Sequence, residues 1–476
     1  MKKYWLILIV FIHISHVFGQ ARPFPQNVDY AYGYKATVIT AEQVENAYSR
    51  WKEAFLVPCD GMYRVAYSEE DITISEGMGY GMLLTAYFGE KEYFDGLFDF
   101  YLSKRTSNAY NLMGWRVTCD DILDPGSATD GDLDVAFALL VAYNQWGGTY
   151  LDDAVEILTI LEEHYFIQCD GVYTMKPGGQ FGGCGLTDIS YYTPGYFRLF
   201  AKAAGGDFWN IAADDSYVIL ENATNESTGL VPDWQSADGE PGGDPHSGRV
   251  DYYRYDACRV PWRIAWDYLW NGNETARDWC VKITNFANSI GPADIVDGYE
   301  LDGRPLGQYN NSAFVGGFAA GAMCNSQEIV NSFASRLIYL DGAGWDNQYF
   351  NFSLRCLYML ALTGNFWRPD ITPNTFVEKS LLTPSRKDLM NNYPNPFNPI
   401  TSITYDVSEK SRVRITIFDL QGREVRTILN EQRSPGRYTQ FWDGTDRKGH
   451  EVTGGVYFLR IQAGDLTETR KMTLVK

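Results

Sequence analysis

The chain has 476 residues, a net charge of −20, 45% hydrophobic residues and 15% aromatic residues. That length leads to an expectation of two or three domains with ample core, and so acidic a chain argues against a nucleic-acid partner. The acidity lies in the body, because from Leu389 onward basic residues outnumber acidic ones, and solubility alone accounts for it.

Residues 1–19 read as an export leader. Lys2 and Lys3 open it, Trp5 to Ile14 is apolar, and Val17-Phe18-Gly19 precedes a cleavage point at Gln20. The apolar run is too short to span a bilayer, so an exported, soluble protein is expected. Beyond the leader only His164, His246 and His450 remain, and the eight cysteines form no CxxC pair. A His- or Cys-based metal centre is therefore not expected, and few candidates exist for a Ser-His-Asp triad. No cofactor is expected either, which leaves carboxylates to carry any chemistry. An even cysteine count in an exported chain permits disulfides without saying which.

From about residue 41 to 365 apolar residues recur at three- and four-residue spacing. The spacing predicts twelve helices over 41–55, 78–88, 92–104, 132–146, 151–164, 191–204, 206–221, 256–270, 274–289, 311–323, 326–341 and 347–364. Alternate helices are the more apolar ones. Segment 311–323 carries no charge, whereas 274–289 carries Glu274, Arg277, Asp278 and Lys282. Cys59-Asp60-Gly61-Met62-Tyr63 returns as Cys169-Asp170-Gly171-Val172-Tyr173 after another outer-type helix. Six outer and six inner helices in repeated hairpins predict a mainly α fold, an (α/α)6 barrel over residues 20–368. In such a ring the starts of the inner helices share one rim. Prolines 369, 373 and 384 mark a linker over 369–390. Short β-rich runs over 391–476 predict a small all-β, immunoglobulin-like sandwich.

Three stretches at inner-helix starts carry the candidate chemistry. In Ser75-Glu76-Gly77-Met78-Gly79-Tyr80-Gly81-Met82 a carboxylate precedes a glycine run. Burial at such a place raises a carboxyl pKa, as a general acid needs, although a helix start also favours a plain surface acid. In Ala128-Thr129-Asp130-Gly131-Asp132-Leu133-Asp134, Thr129 and Asp132 have capping-box spacing, so one or more of these acids is expected to be only a cap. Val135 and Val141 exclude the usual calcium loop. In Tyr255-Asp256-Ala257-Cys258-Arg259, Arg259 sits three residues after Asp256 and would keep it ionised, as a base must be; a structural salt bridge is the plainer alternative. Trp115, Tyr191, Tyr192 and Trp234 are candidates for stacking on sugar rings or for the core.

Together these motifs resemble glycoside hydrolase family 8 over roughly residues 25–365. The Ala128–Asp132 run with Ala136, Ala138-Leu139-Leu140, Ala142 and Trp146 is similar to that family's signature, with Val135 a mild departure. The resemblance implies the (α/α)6 barrel and inverting hydrolysis of a β-1,4-linked polysaccharide. It also implies Glu76 as general acid, Asp256 as general base, and Asp130 as the residue that holds and distorts the sugar. Tyr255 and Arg259 would steady the water or the base. An endo-β-1,4-glucanase is the expected activity. Xylan or chitosan as substrate, or a non-catalytic surface glycan-binding protein, are the alternatives.

The tail has its own resemblance. Asn392-Tyr393-Pro394-Asn395-Pro396-Phe397-Asn398-Pro399, Phe418-Asp419-Leu420-Gln421-Gly422-Arg423 and Gly455-Val456-Tyr457-Phe458 are similar to the type A sorting domain of the type IX secretion system. That implies the secretion machinery as a partner, and release or cell-surface display by a bacterium with an outer membrane. A monomer is expected.

Overall fold

The computed structural model describes residues 22–67, 71–242, 248, 251–340, 348–371, 390–393, 395, 397–407, 410–433, 436–464 and 466–475. The expected leader and most of the expected linker lie outside them. The chain divides into two units, Met1–Val377 and Glu378–Lys476.

The first unit holds twelve α-helices among the described residues. They are α1 (Ala41–Phe55), α2 (Ser75–Phe88), α3 (Lys91–Ser103), α4 (Thr129–Trp146), α5 (Tyr150–His164), α6 (Pro194–Ala204), α7 (Phe208–Ala223), α8 (Val260–Asn271), α9 (Glu274–Ile290), α10 (Ser312–Ala322), α11 (Gln327–Tyr339) and α12 (Tyr349–Leu362). Local chemistry sets several ends. Thr40 and Gln43 form a capping box at α1. The side chains of Asn273, Asn311 and Ser326 accept backbone N–H groups at the starts of α9, α10 and α11. Gly89 and Gly272 end α2 and α8 in the left-handed conformation.

Odd-numbered helices bury one stripe. In α9 the buried positions are Ala276, Trp279, Cys280, Ile283, Thr284 and Ala287. Even-numbered helices are buried on nearly every side, and α10 is buried at all its residues. The even helices pack on one another: α2 on α4, α6 on α8, α8 on α10, α10 on α12, and α12 back on α2. Phe137 of α4 stacks on Tyr196 of α6 with ring centroids 3.7 Å apart. From α1, Trp51 donates its indole N–H to Ser353 of α12 at 2.9 Å.

The aromatic wealth is spent mainly on this core. Trp266 stacks on Trp270 and on Phe366, each at 4.6 Å, and Trp51, Trp209, Trp262 and Trp367 are fully buried. Each such burial contributes roughly 1.5–3 kcal/mol.

The repeated Cys-Asp-Gly turns are β-hairpins. Leu56–Cys59 pairs with Met62–Val65, and Phe166–Cys169 pairs with Val172–Met175. Both turns place an aspartate and a glycine at positive φ (Asp60 49°, Gly61 82°; Asp170 50°, Gly171 91°), the geometry that Asp-Gly serves best. Cys59 bonds to Cys119 across 60 residues and Cys169 to Cys184 across 15. Cys258, Cys280, Cys324 and Cys356 are buried thiols.

The second unit is all-β. One antiparallel sheet orders Met390–Tyr393, Thr401–Val407 and Gly436–Trp442; the other orders Glu424–Arg433, Ser411–Phe418, Gly455–Ala463 and Leu466–Leu474. Ile403, Val413, Ile415, Ile417, Trp442, Leu459, Ile461 and Met472 form its core. Strand Glu424–Arg433 is mostly polar and half exposed, so little apolar alternation marks it in the sequence. No helix among the described residues is long and apolar enough to cross a membrane.

The longer loop closed by Cys59–Cys119 removes more freedom from the unfolded chain. The pair Cys59→Ser/Cys119→Ser is expected to lose about 1 kcal/mol more stability than Cys169→Ser/Cys184→Ser. Urea unfolding of the two variants measures the difference, and an equal or reversed loss contradicts it.

Candidate active site

Glu76, Asp130 and Asp256 meet at one buried cation. Glu76 is the second residue of α2 and Asp130 the second of α4, each drawn inside its helix rather than ahead of it. Asp256 stands just before a 3-10 turn, Ala257–Arg259, that leads into α8. The helix predicted from residue 256 therefore begins at Val260. Tyr191 likewise ends a separate 3-10 turn, Ile189–Tyr191, rather than opening α6.

Arg259 is 1% exposed. Its Nη1 contacts Glu76 Oε2 at 2.7 Å and Asp130 Oδ2 at 2.8 Å. Its Nη2 donates to Ser190 Oγ at 2.8 Å and to Asp256 Oδ1 at 3.0 Å, and lies 3.7 Å from Asp188 Oδ2. One helical turn on, Arg263 holds Asp134 through both nitrogens, one bond at 2.7 Å. Arg259–Asp130 and Arg263–Asp134 thus repeat four residues apart, between α4 and the segment that runs from the 3-10 turn into α8.

Close helix packing brings the acids together. A Cβ on Gly131 would lie 2.5 Å from the Ser75 carbonyl carbon and 2.8 Å from Glu76 N, and one on Gly79 would lie 2.7 Å from Asp134 Cβ. The glycines beside Glu76 are helical, and none of Gly77, Gly79 and Gly81 has positive φ. Their purpose is contact between helices, not the approach of backbone to a ligand. The capping box expected at Thr129 is absent as well. Ala128 is the N-cap, and the Thr129 hydroxyl donates to Lys176 O at 2.7 Å.

Glu76 also accepts from Tyr349 OH at 2.9 Å. Burial pushes its carboxyl up to about 7, with Arg259 pulling the other way and the charge of Asp130 adding to the rise. Asp256 is the most open of the three, its side chain 31% exposed against 13% for Glu76 and 4% for Asp130. A deeply set acid that holds a proton to neutrality thus faces an open carboxylate across a shared guanidinium.

Residues 23–364 match the family described as Glycosyl hydrolases family 8. The chain belongs to that family. The match covers the whole helical unit that builds the site, and the molecule is a glycoside hydrolase. It is 35% identical to Endoglucanase 2 of Ruminiclostridium josui over 361 residues, 72% of this chain and 77% of that one. It is 33% identical to Endoglucanase C of Ruminiclostridium cellulolyticum over 409 residues, 82% of this chain and 86% of that one. Among solved structures, the apo beta-1,3-1,4-glucanase from Paenibacillus sp. X4 superposes with a TM-score of 0.67 at 30% identity, covering 73% of this chain and 99% of that chain. The tail matches the FlgD Ig-like domain over residues 400–466.

The remaining candidates in the family 8 unit divide. Tyr255 reaches the site's edge, donating to Asp297 Oδ2 at 2.9 Å and accepting from Asn311 Nδ2 at 3.3 Å. Trp115 is half-buried, and its backbone C=O accepts from Ser75 N at 2.9 Å, directly before Glu76. Tyr191 lies under Arg259, the guanidinium 5.6 Å from its ring centre, and is 9% exposed. Tyr192 is fully buried, its hydroxyl bonded to Met175 N at 2.8 Å and to Thr187 Oγ1. With no face open to a sugar it is a core residue, which corrects the expectation of stacking. Trp234 is only 6% exposed, and its indole N–H donates to Asp256 Oδ2 at 2.9 Å. It contacts the base candidate rather than offering a stacking platform.

The structure adds carboxylates that no motif had marked. Asp188 is buried, caps the turn at Ser190, and has its carboxyl pushed well above the ordinary range by burial and then by the charge of Asp256. Asp233 is buried behind Asp256 and pushed the same way by the same two causes. Each is a lone acid in a loop, without local periodicity to single it out. The one grouping of possible metal ligands among the described residues, Cys59, Asp60 and Cys119, has both its sulfurs in a disulfide.

Asp132 is fully buried, accepts from Tyr101 OH at 2.7 Å, and has its other oxygen unpartnered. Burial pushes its carboxyl up to about 8. An unfolded chain would release that proton near pH 4, so the folded state loses stability as pH rises from about 4 to about 8. Asp132→Asn keeps the neutral shape and lacks this loss. Its melting temperature relative to wild type is expected to climb between pH 5 and pH 8, by the equivalent of a few kcal/mol in all. Thermal unfolding at the two pH values checks this, and a flat difference refutes it.

Proposed function

We propose that the protein is a secreted, inverting endo-β-1,4-glucanase acting on cellulose-type or mixed-linkage glucan, with Glu76 as general acid, Asp256 as general base and Asp130 holding the sugar at the cleavage point. The observation that carries the reading is the shared guanidinium. Arg259 binds Glu76 through one nitrogen and Asp256 through the other. Their separation is therefore limited to two hydrogen bonds plus the width of that group. This is of the order of the roughly 6.5–9.5 Å that leaves room for a water between an inverting pair. The protonation order supports the same roles. Glu76 keeps a proton up to about 7, while Asp256 accepts from Arg259 and Trp234, which favours its charged form. The substrate class is supported by the endoglucanase and beta-1,3-1,4-glucanase names of the relatives.

The arrangement of helices supports an (α/α)6 barrel, with the even helices as inner ring closed by α12 on α2. The tail is read as a sorting module for type IX secretion on an immunoglobulin-like scaffold, supported by the match to an Ig-like domain and by its sequence motifs. Loss of residues 391–476 is expected to spare hydrolysis by the purified enzyme and to stop delivery to the cell surface in a type IX-competent host. Fractionation of such cells reads the outcome, and normal delivery of the shortened chain counts against the sorting role.

Glu76→Gln and Asp256→Asn should each lower kcat on carboxymethylcellulose or β-glucan by about 10²–10⁴. Because the acid must carry its proton, wild-type kcat/KM should fall as pH rises through about 7. Proton NMR of the first product should show the α-anomer released from a β-linked chain. A β-anomer, or full activity in either variant, would remove the inverting assignment. A panel that includes xylan and chitosan fixes the backbone sugar.

A further inference from the structure

The residue read as the base sits where secondary structure does least to hold it. Tyr252 and Tyr253 form a short strand, Ala257–Arg259 form a 3-10 turn, and Arg254, Tyr255 and Asp256 bridge the two in a turn. A carboxylate on such a bridge needs external support to stay within reach of a water.

Two adjacent residues from another part of the chain supply that support. Asp233, 4% exposed, accepts the backbone N–H of Arg254 at 2.6 Å and of Ala257 at 2.9 Å, both on Oδ1. The two donors flank Asp256 on either side. The backbone N–H of Asp233 itself bonds to Tyr252 O at 2.9 Å, so the two segments are tied at three points. Trp234 then donates its indole N–H to Asp256 Oδ2 at 2.9 Å, while Arg259 Nη2 donates to Oδ1 at 3.0 Å. Each oxygen of the carboxylate receives one fixed donor. Behind Trp234, Gln235 exchanges backbone bonds with Thr187 at 2.6 and 3.0 Å, and its side chain donates to Ile219 O at 2.9 Å. The support is therefore anchored to the helical unit.

We infer that Asp233 and Trp234 are the positioning unit of the base, Asp233 fixing the backbone around Asp256 and Trp234 aiming and ionising its carboxylate. This rests on the reading of Asp256 as the base. It departs from a sugar-stacking role for Trp234, which needs an open ring face, whereas this ring is 6% exposed and its N–H is occupied. A donor to the charged form of a carboxyl lowers its pKa. Removing the Trp234 N–H should thus raise the pKa of Asp256 and leave part of the enzyme with a protonated base at mildly acid pH.

The test uses the full chain and soluble β-glucan. Trp234→Phe keeps a ring and deletes the donor. The acid limb of kcat/KM is expected to move up by about one pH unit, a hydrogen bond to a charged group being strong enough for that, with KM unchanged. A wild-type pH profile, or a raised KM with an unmoved limb, overturns the inference. For Asp233, Asn retains the accepting oxygen and Ala does not. Asp233→Ala should lower kcat on the order of a hundredfold at constant KM, and Asp233→Asn should recover most of it. Equal loss in both, or loss in neither, is the contrary result. If Asp233→Ala does not fold, the Trp234→Phe profile decides. Asp256→Asn is measured alongside. An active Asp256→Asn ends the assignment of the base itself, whereas an inactive one beside an unshifted Trp234→Phe ends only the positioning role.

Discussion

One guanidinium answers for too many carboxylates. Arg259 is buried, and Glu76, Asp130, Asp188 and Asp256 all face it. A single positive charge cannot neutralise four negative ones in a medium where each unpaired ion costs several kcal/mol. The system relieves the excess by keeping protons on some of the buried acids. Glu76 holds its proton to about pH 7 and burial pushes the Asp188 carboxyl well above the ordinary range, while Asp256, the most exposed, lies between two donors. Two carboxyl groups of similar chemistry thus differ through burial and partners alone. The neighbouring Arg263–Asp134 pair is the contrast, with one cation, one anion and two bonds.

That concentration of charge is tolerable because the helices around it are packed tightly enough to fix every partner. Gly79 and Gly131 let α2 and α4 touch at their first turns, which carries Glu76 and Asp130 to the same guanidinium. A methyl group at either glycine would meet backbone or a Cβ atom at under 3 Å, so the approach of the two helices and the spacing of the two acids are one constraint. Away from this site the even-numbered helices and the segment after α12 carry the opposite chemistry. Phe137, Tyr196, Trp266, Trp270 and Phe366 stack on one another and supply apolar burial that offsets the charged end.

The twelve helices were legible because their signal is local: apolar spacing marks a helix wherever it lies, and most predicted ends fall within three residues of the observed ones. Errors gather at the site. The apolar spacing predicts Asp256 and Tyr191 inside α-helices, whereas Asp256 stands just before a 3-10 turn and Tyr191 ends one, since a short tight turn leaves almost no periodicity. Thr129 has the spacing of a cap and instead bonds Lys176 O, a partner 47 residues away. By residue type alone Tyr192 and Trp234 suit either a stacking platform or the core, and burial decides against the platform.

By itself the sequence determined the helical repeat and the all-β tail, and it pointed to carboxylates as the candidate chemical groups, because it offers few histidines and no ligand-spaced cysteines. Its ordered motifs also singled out Glu76, Asp130 and Asp256. Only the tertiary structure decided that these acids share Arg259, that Asp188 joins them while Asp233 braces the turn at Asp256, and which carboxyls burial pushes up. The physical reason is range. Helix propensity and hydrophobic spacing act over a few residues, whereas desolvation and ion pairing act through space between segments as far apart as the 183 residues that separate Glu76 from Arg259.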